Sequence, residues 1–253
     1  MKAIRAVVTL AGLLALWQAV VWITGVPRFI LPEPLRVFGA LTTQADLIAR
    51  HAALTFSEIL LGLLLGTVLG GSAALGMALF RPARRWLLPV LVVSQAIPVF
   101  ALAPLLVLWL GYGMASKVAM AVLIIFFPVT AAFFDGLRRT DPGWLDLAHT
   151  MGGTRWTTLR HIRLPAALPA FASGLRVATA VAPIGAVVGE WVGSSAGLGY
   201  LMLHANARMQ TDLMFAALFV LATAAVALYA TVDALLRRAL PWQPDIHAEE
   251  EKD

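Results

Sequence analysis

Long apolar runs alternate with short polar breaks along this chain, and the runs are longer than a soluble core requires. Six stretches, at approximately 6–25, 54–80, 86–110, 115–134, 166–190 and 212–236, are built almost entirely of aliphatic, aromatic and small residues. Each approaches or exceeds the roughly 20 apolar residues that carry a helix across a bilayer. The pattern predicts an all-α polytopic membrane protein with six transmembrane helices. The first run follows Lys2 and Arg5 and reaches Gly25 with no small-residue cleavage site before Pro27. It therefore reads as a retained span rather than a removed signal. Residues 26–53 form a polar, proline-containing outer segment, 135–165 the longest inner loop, and 191–211 an outer return rich in Gly and Ser. The tail 241–253 closes on Glu249, Glu250, Glu251 and Asp253 and is expected to fray.

Composition agrees with the pattern. The 253 residues are 60% hydrophobic and 13% charged, against about 45–50% and about 25% in a soluble domain. So few charges cannot cover a water-facing surface of this size, and most of the surface must meet lipid in a single transmembrane domain, 1–253. A net charge of +5 would suit nucleic acid, but the placement of the basic residues argues otherwise. With the N-terminus inside, 13 of the 19 lysines and arginines fall in inner segments, five in outer ones, and Arg176 within a span. That asymmetry marks inner loops and predicts cytoplasmic N- and C-termini. With no cysteine, and five histidines lacking ligand spacing, neither a metal nor another cofactor is expected.

Polar residues inside spans are candidates for a pathway, because an intramembrane charge costs roughly 2.5–3.5 kcal/mol on insertion scales. These are Glu58, Ser94, Gln95 with Pro98, and Glu190. The two glutamates could instead sit at the outer interface, and Arg176 could reach the inner one along its own stem. Arg176 and Glu190 are 14 residues apart, roughly 21 Å along a continuous helix, and cannot pair. Pro98, Pro104 and Pro183 can break helices where a cavity re-satisfies the backbone. Gly62, Gly66 and Gly70 clear one helix face for close approach, either within the chain or across a dimer seam.

The inner loop carries the most information. Asp141-Pro142 is a helix start, and Trp144, Leu147, Ala148 and Met151 then recur on one helical face. Gly152 and Gly153 end that helix. Thr154 can cap a second short one, with Trp156, Leu159 and Ile162 apolar and Arg155, Arg160 and Arg163 basic, before Leu164-Pro165 breaks it. The residues themselves leave three readings: an amphipathic hairpin on lipid headgroups, a docking element for a cytoplasmic partner, or, less compatibly with flanking spans, a DNA-binding helix-turn-helix.

The run Asp146-Leu147-Ala148, Gly152, then Ile162-Arg163-Leu164-Pro165 resembles the EAA motif of binding-protein-dependent ABC importer permeases, which reads Glu-Ala-Ala, three residues, Gly, nine residues, Ile-x-Leu-Pro. Asp146 and Leu147 depart from the opening Glu-Ala. The glycine and the closing tetrad keep the spacing, and Gly174-Leu175-Arg176 fits the family pattern downstream of the motif. The resemblance implies a type I importer permease fold whose coupling helix contacts an ATP-hydrolysing subunit through Asp146, Leu147, Ala148, Gly152, Gly153, Leu159, Ile162, Leu164 and Pro165. It also implies an ATP-binding ABC subunit, an external periplasmic or lipid-anchored substrate-binding protein, a second copy of the permease in a homodimer, and a place in the bacterial inner membrane. Gly189-Glu190-Trp191 and Gly197-Leu198-Gly199-Tyr200 resemble the branch carrying sulfonates, taurine, nitrate and thiamine or riboflavin precursors. Ser94–Pro98 and Val188–Thr211 are most similar to permeases for hydroxymethylpyrimidine.

No Gly-x-x-x-x-Gly-Lys-[Ser/Thr] occurs, and none of Lys2, Lys117 and Lys252 follows a glycine. Without that lysine the chain has no P-loop and no ATPase site of its own. An ion-gradient carrier is the rival from another class, but it calls for mid-span acids in repeated halves, and no repeat is visible.

Overall fold

The computed structural model describes residues 2–242, without the side chains of 2–7, 10, 95 and 96. The described residues contain helices and no strand. In chain order they are α1 (Lys2–Thr24), α2 (Pro34–Thr43), α3 (Ala45–Leu79), α4 (Arg81–Ala96), α5 (Val99–Leu110), α6 (Met114–Arg138), α7 (Pro142–Thr150), α8 (Arg155–Thr158), a π-turn at Leu159–Arg163, α9 (Leu164–Gly193), α10 (Leu198–Ala207) and α11 (Thr211–Ala239).

Among the described residues, four helical stretches are long and apolar enough to cross a membrane: α3, α6, Arg155–Gly193 and α11. They match four of the six expected spans. The first expected span corresponds to α1, of which the described residues include the apolar stretch Ala11–Thr24. The expected span 86–110 is not straight: its two helices, Arg81–Ser94 and Val99–Leu110, are bent by 106°. Pro98 accounts for the break, because its ring drives the preceding residue out of the helical region, and Ile97 is extended at φ −88°, ψ 120°. Pro104 and Pro183 do not break their helices; both lie inside continuous ones. The outer segments carry two helices of their own, α2 and α10, and α3 starts at Ala45 rather than near residue 54. The added turns hold the exposed ion pair of Asp46 with Arg50.

At the centre is α6, packed mainly between α3 and α9. The glycine face of α3 is spent within the chain. A Cβ on Gly66 would lie 2.6 Å from Ile125 Cγ2, and one on Gly62 would collide with Ala121. From the opposite side, a Cβ on Gly185 of α9 would stand 2.7 Å from Ala121 Cα. Van der Waals contact at backbone distance holds helices together in lipid, where apolar burial gives no net drive. A second cluster at the inner end joins Ala74, Met77, Leu91, Phe133, Phe134, Leu137, Leu159 and Ala167. Beside these clusters, Arg176 Nε of α9 donates to Asp233 Oδ1 of α11 at 2.6 Å. Arg176 thus pairs with α11 rather than with Glu190 on its own helix.

Candidate functional site: an inner hairpin and an outer clasp

The inner hairpin forms as its turn chemistry dictates. Asp141 Oδ1 accepts from the Gly143 N–H at 2.6 Å, and Pro142 occupies the first turn of α7. At the far end Gly152 takes φ +74°. Its N–H donates to His149 O at 3.0 Å, and the Gly153 N–H donates to Ala148 O at 2.8 Å. This pair of bonds is the Schellman arrangement. The two glycines are needed for different reasons. Gly152 supplies the left-handed backbone, whereas a Cβ on Gly153 would sit 2.7 Å from Ala148 O. Thr154 Oγ1 then caps α8 by accepting from the Thr157 N–H at 3.2 Å.

Leu164-Pro165 does not end the second arm. Leu164 is helical at φ −62°, ψ −55°, and its N–H reaches back to Leu159 O, an i to i−5 bond of the π type. The widened turn absorbs the donor that proline lacks, so Arg155 to Gly193 runs as one helical rod.

The residues expected to meet the ATPase separate into two sets. Trp144, Leu147 and Met151 are exposed, Leu147 by 61%, and Asp146 is exposed beside them. Trp144, Leu147 and Met151 rim an apolar groove of about 850 Å³ closed by Ile162, Pro165, Pro169 and Trp242. Leu159, by contrast, is only 2% exposed and belongs to the inner core cluster. Its side chain packs inward rather than on the exposed ridge. Ala148 is also buried, under the Gly152–Gly153 turn.

The outer candidates meet a similar division. Glu58 and Glu190 are 3% and 1% exposed, and their carboxyls are neighbours. Glu190 is fully engaged. Its Oε1 accepts from Thr55 Oγ1 at 2.6 Å, and its Oε2 accepts from the N–H groups of Gly199 and of Tyr200, the latter at 3.3 Å. The Leu198 N–H donates to Thr55 Oγ1 at 2.7 Å, and the Gly197 N–H donates to His51 Nδ1 at 2.9 Å. All four N–H groups at the start of α10, which a helix leaves unpaired, are thus held by side chains of α3 and α9. The two glycine-containing outer motifs fit each other physically: Gly197 sits at φ +112°, and a Cβ on Gly199 would be 2.8 Å from Glu190 Oε2.

Sequence reasoning missed Thr55 and His51, although Thr55 lies one turn from Glu58 on the same face of α3. Lys117, inside the expected span 115–134, is buried in the first turn of α6. There Nζ donates to the carbonyls of Tyr112 and Gly113 at 2.8 and 3.1 Å. Ser94 and Pro98 are exposed at the α4–α5 bend, away from the clasp, and Ser94 Oγ donates to Leu91 O at 2.8 Å. The Gln95 side chain lies outside the described residues, as does the tail beyond Trp242. No group of three or more His, Cys, Asp or Glu positioned for a metal occurs among the described residues.

A family model described as the binding-protein-dependent transport system inner membrane component matches residues 46–241. A probable ABC transporter permease protein of Haemophilus influenzae is 60% identical over 89% of this chain and 92% of its own length. The formylaminopyrimidine transport permease protein ThiX of Halalkalibacterium halodurans is 38% identical, covering 91% of this chain and 92% of its own. The riboflavin transport system permease protein RibX of Chloroflexus aurantiacus is also 38% identical, over 93% and 89%. Among solved structures, a chain of the inward-facing MetNI methionine ABC transporter superposes with a TM-score of 0.67 at 16% identity, over 78% of this chain and 97% of that one. The fold is therefore that of a type I importer permease. The chain belongs to the family of binding-protein-dependent transport system inner membrane components, as an ABC importer permease.

Proposed function

We propose that the permease moves a small thiamine-precursor pyrimidine inward, driven by a separate ATPase that seats on the α7–α8 hairpin. The observation that carries the coupling assignment is the hairpin itself. An apolar ridge of Trp144, Leu147 and Met151 stands exposed, its turn is fixed by Gly152 and Gly153, and its second arm is continuous with α9. A ridge of that kind in water calls for a cover, and a rigid link to a span gives the cover mechanical effect. Asp146, Leu147 and Ile162 are the contact residues in this reading, Gly152, Gly153, Leu164 and Pro165 set the geometry, and Leu159 with Ala148 supports it from below. Two copies of the permease, two ATPase subunits and an external binding protein complete the assembly, with both termini cytoplasmic.

The pyrimidine substrate is supported by the likeness to ThiX. RibX is equally similar, which makes riboflavin the second reading; sulfonates and taurine are further substrates of the same branch. Glu190 is not assigned to the pathway, because its acceptors are taken by Thr55 and by the start of α10.

Mild-detergent purification from native membranes tests the assignment. A stoichiometric P-loop ATPase is the expected companion, and its absence with nucleotide present would overturn the coupling reading. The accompanying binding protein is then titrated with hydroxymethylpyrimidine, formylaminopyrimidine, riboflavin and taurine. Tight binding of riboflavin or taurine and none of the pyrimidines would overturn the substrate.

A further inference from the structure

The two faces of α7 look into different places. Its ridge lines the apolar groove, whereas Leu145 and His149 on the other face line a separate cavity of about 400 Å³ between the hairpin and the end of α3. Arg81, Arg84, Arg155 and Arg163 line the same cavity, and no acidic residue does. None of the four arginines makes an ion pair among the described residues. Two of the polar atoms at the cavity are buried without a hydrogen-bond partner, Arg163 Nε and Thr158 Oγ1, and Thr158 as a whole is only 8% exposed. Buried donors left unpaired are uncommon and call for a ligand or a water. Four uncompensated guanidiniums at one cavity raise the local potential and call for an anion.

The chemistry of the site narrows which anion fits. Guanidiniums suit a multi-oxygen acceptor that takes paired N–H bonds. The remaining wall is apolar, from Met77, Ala78, Leu79 and Leu159, and it continues to Phe80 and Trp86, both widely exposed. An aromatic and basic collar at the end of a span is the environment of a membrane interface. A cationic cleft with an apolar margin at that depth fits a phosphate that carries acyl chains.

We propose that this cavity binds the phosphate of an anionic phospholipid of the cytoplasmic leaflet, bridging the α3–α4 junction to the second arm of the hairpin. Arg81 and Arg84 approach from the junction, Arg155 and Arg163 from the hairpin. The bound lipid ties the coupling element to α3 in addition to the Leu159 anchor. The proposal rests on the cytoplasmic placement of the hairpin only for which leaflet supplies the lipid; it is independent of the ATPase contact.

Native mass spectrometry of the purified permease, with any subunits that accompany it, tests the site after incubation with phosphatidylglycerol or phosphatidylcholine. Retention of phosphatidylglycerol and not of phosphatidylcholine is expected. The double variant Arg84→Gln/Arg155→Gln, at two exposed positions, should lower phosphatidylglycerol affinity roughly thirtyfold, the weight of two interfacial arginines. Arg85→Gln, outside the cavity, should leave it unchanged. A thermal-unfolding arm adds inorganic phosphate alone. Stabilisation equal to that by phosphatidylglycerol, lost in the double variant, upholds the phosphate site with free phosphate as its source. Equal retention of both lipids with no phosphate effect, or retention in the double variant matching that of the unaltered protein, overturns it.

Discussion

Glu190 Oε1 accepts from Thr55 Oγ1 at 2.6 Å while the other carboxylate oxygen accepts from the Gly199 N–H. One buried carboxylate thus joins α9, α3 and the first turn of α10. Glu190→Ala would leave the Gly199 and Tyr200 N–H groups without acceptors, at a cost of about 1–3 kcal/mol for each buried group stranded. Amide hydrogen exchange across 197–207 should accelerate, with the thermal midpoint falling. Glu190→Gln keeps one acceptor oxygen and should show a smaller change. Unchanged exchange in the alanine variant would show that α10 is held by other means.

The two turn glycines should respond differently to alanine. Gly152→Ala forces a β-carbon into the left-handed region, worth roughly 1–2 kcal/mol, with open space around it. Gly153→Ala instead drives Cβ against the Ala148 carbonyl, and the Schellman turn must open. Substrate uptake at equal membrane abundance should fall moderately for the first and severely for the second. Gly152→Val, bulkier and β-branched, should abolish uptake while the protein still inserts.

Leu159 and Leu147 separate anchoring from contact. Leu159→Ala empties a site in the inner cluster and should cost about 2–5 kcal/mol, seen in thermal unfolding. Leu147→Ala removes an exposed side chain and should leave unfolding unchanged while reducing co-purification of the ATPase. A stability loss in Leu147→Ala with normal ATPase recovery would reverse the two roles.

Asp233 pairs with two guanidiniums: Arg176 Nε at 2.6 Å and Arg237 Nε at 2.9 Å approach opposite carboxylate oxygens. Asp233→Asn should destabilise by about 1.5–3 kcal/mol, the range for charged hydrogen bonds with limited exposure. Arg237→Gln, whose side chain is 56% exposed, should cost less than about 1 kcal/mol. Thermal unfolding in one detergent compares them.

The hydropathy runs and the Asp141, Gly152–Gly153 and Thr154 signals were legible in the sequence because each depends on lipid immersion or on neighbours within a few residues. Local rules were enough to predict an all-α membrane protein and a hairpin with a sharp glycine turn. They failed where distant segments decide. Leu164-Pro165 reads as a stop, yet a π-turn carries the helix through it, since the preceding turn can widen when packing in the inner cluster holds it. Leu159 shares its helical face with Trp156 and Ile162, and only the approach of α3, α4 and α6 shows that it points inward. Glu58 and Glu190 lie 132 residues apart in the chain, and nothing local reveals that they meet, or that Glu190 spends one oxygen on Thr55 and the other on the backbone of α10. Local hydrogen bonding and hydrophobicity are written in short stretches of chain; which polar groups become partners depends on the close approach of helices, here set by glycine faces on both sides of α6.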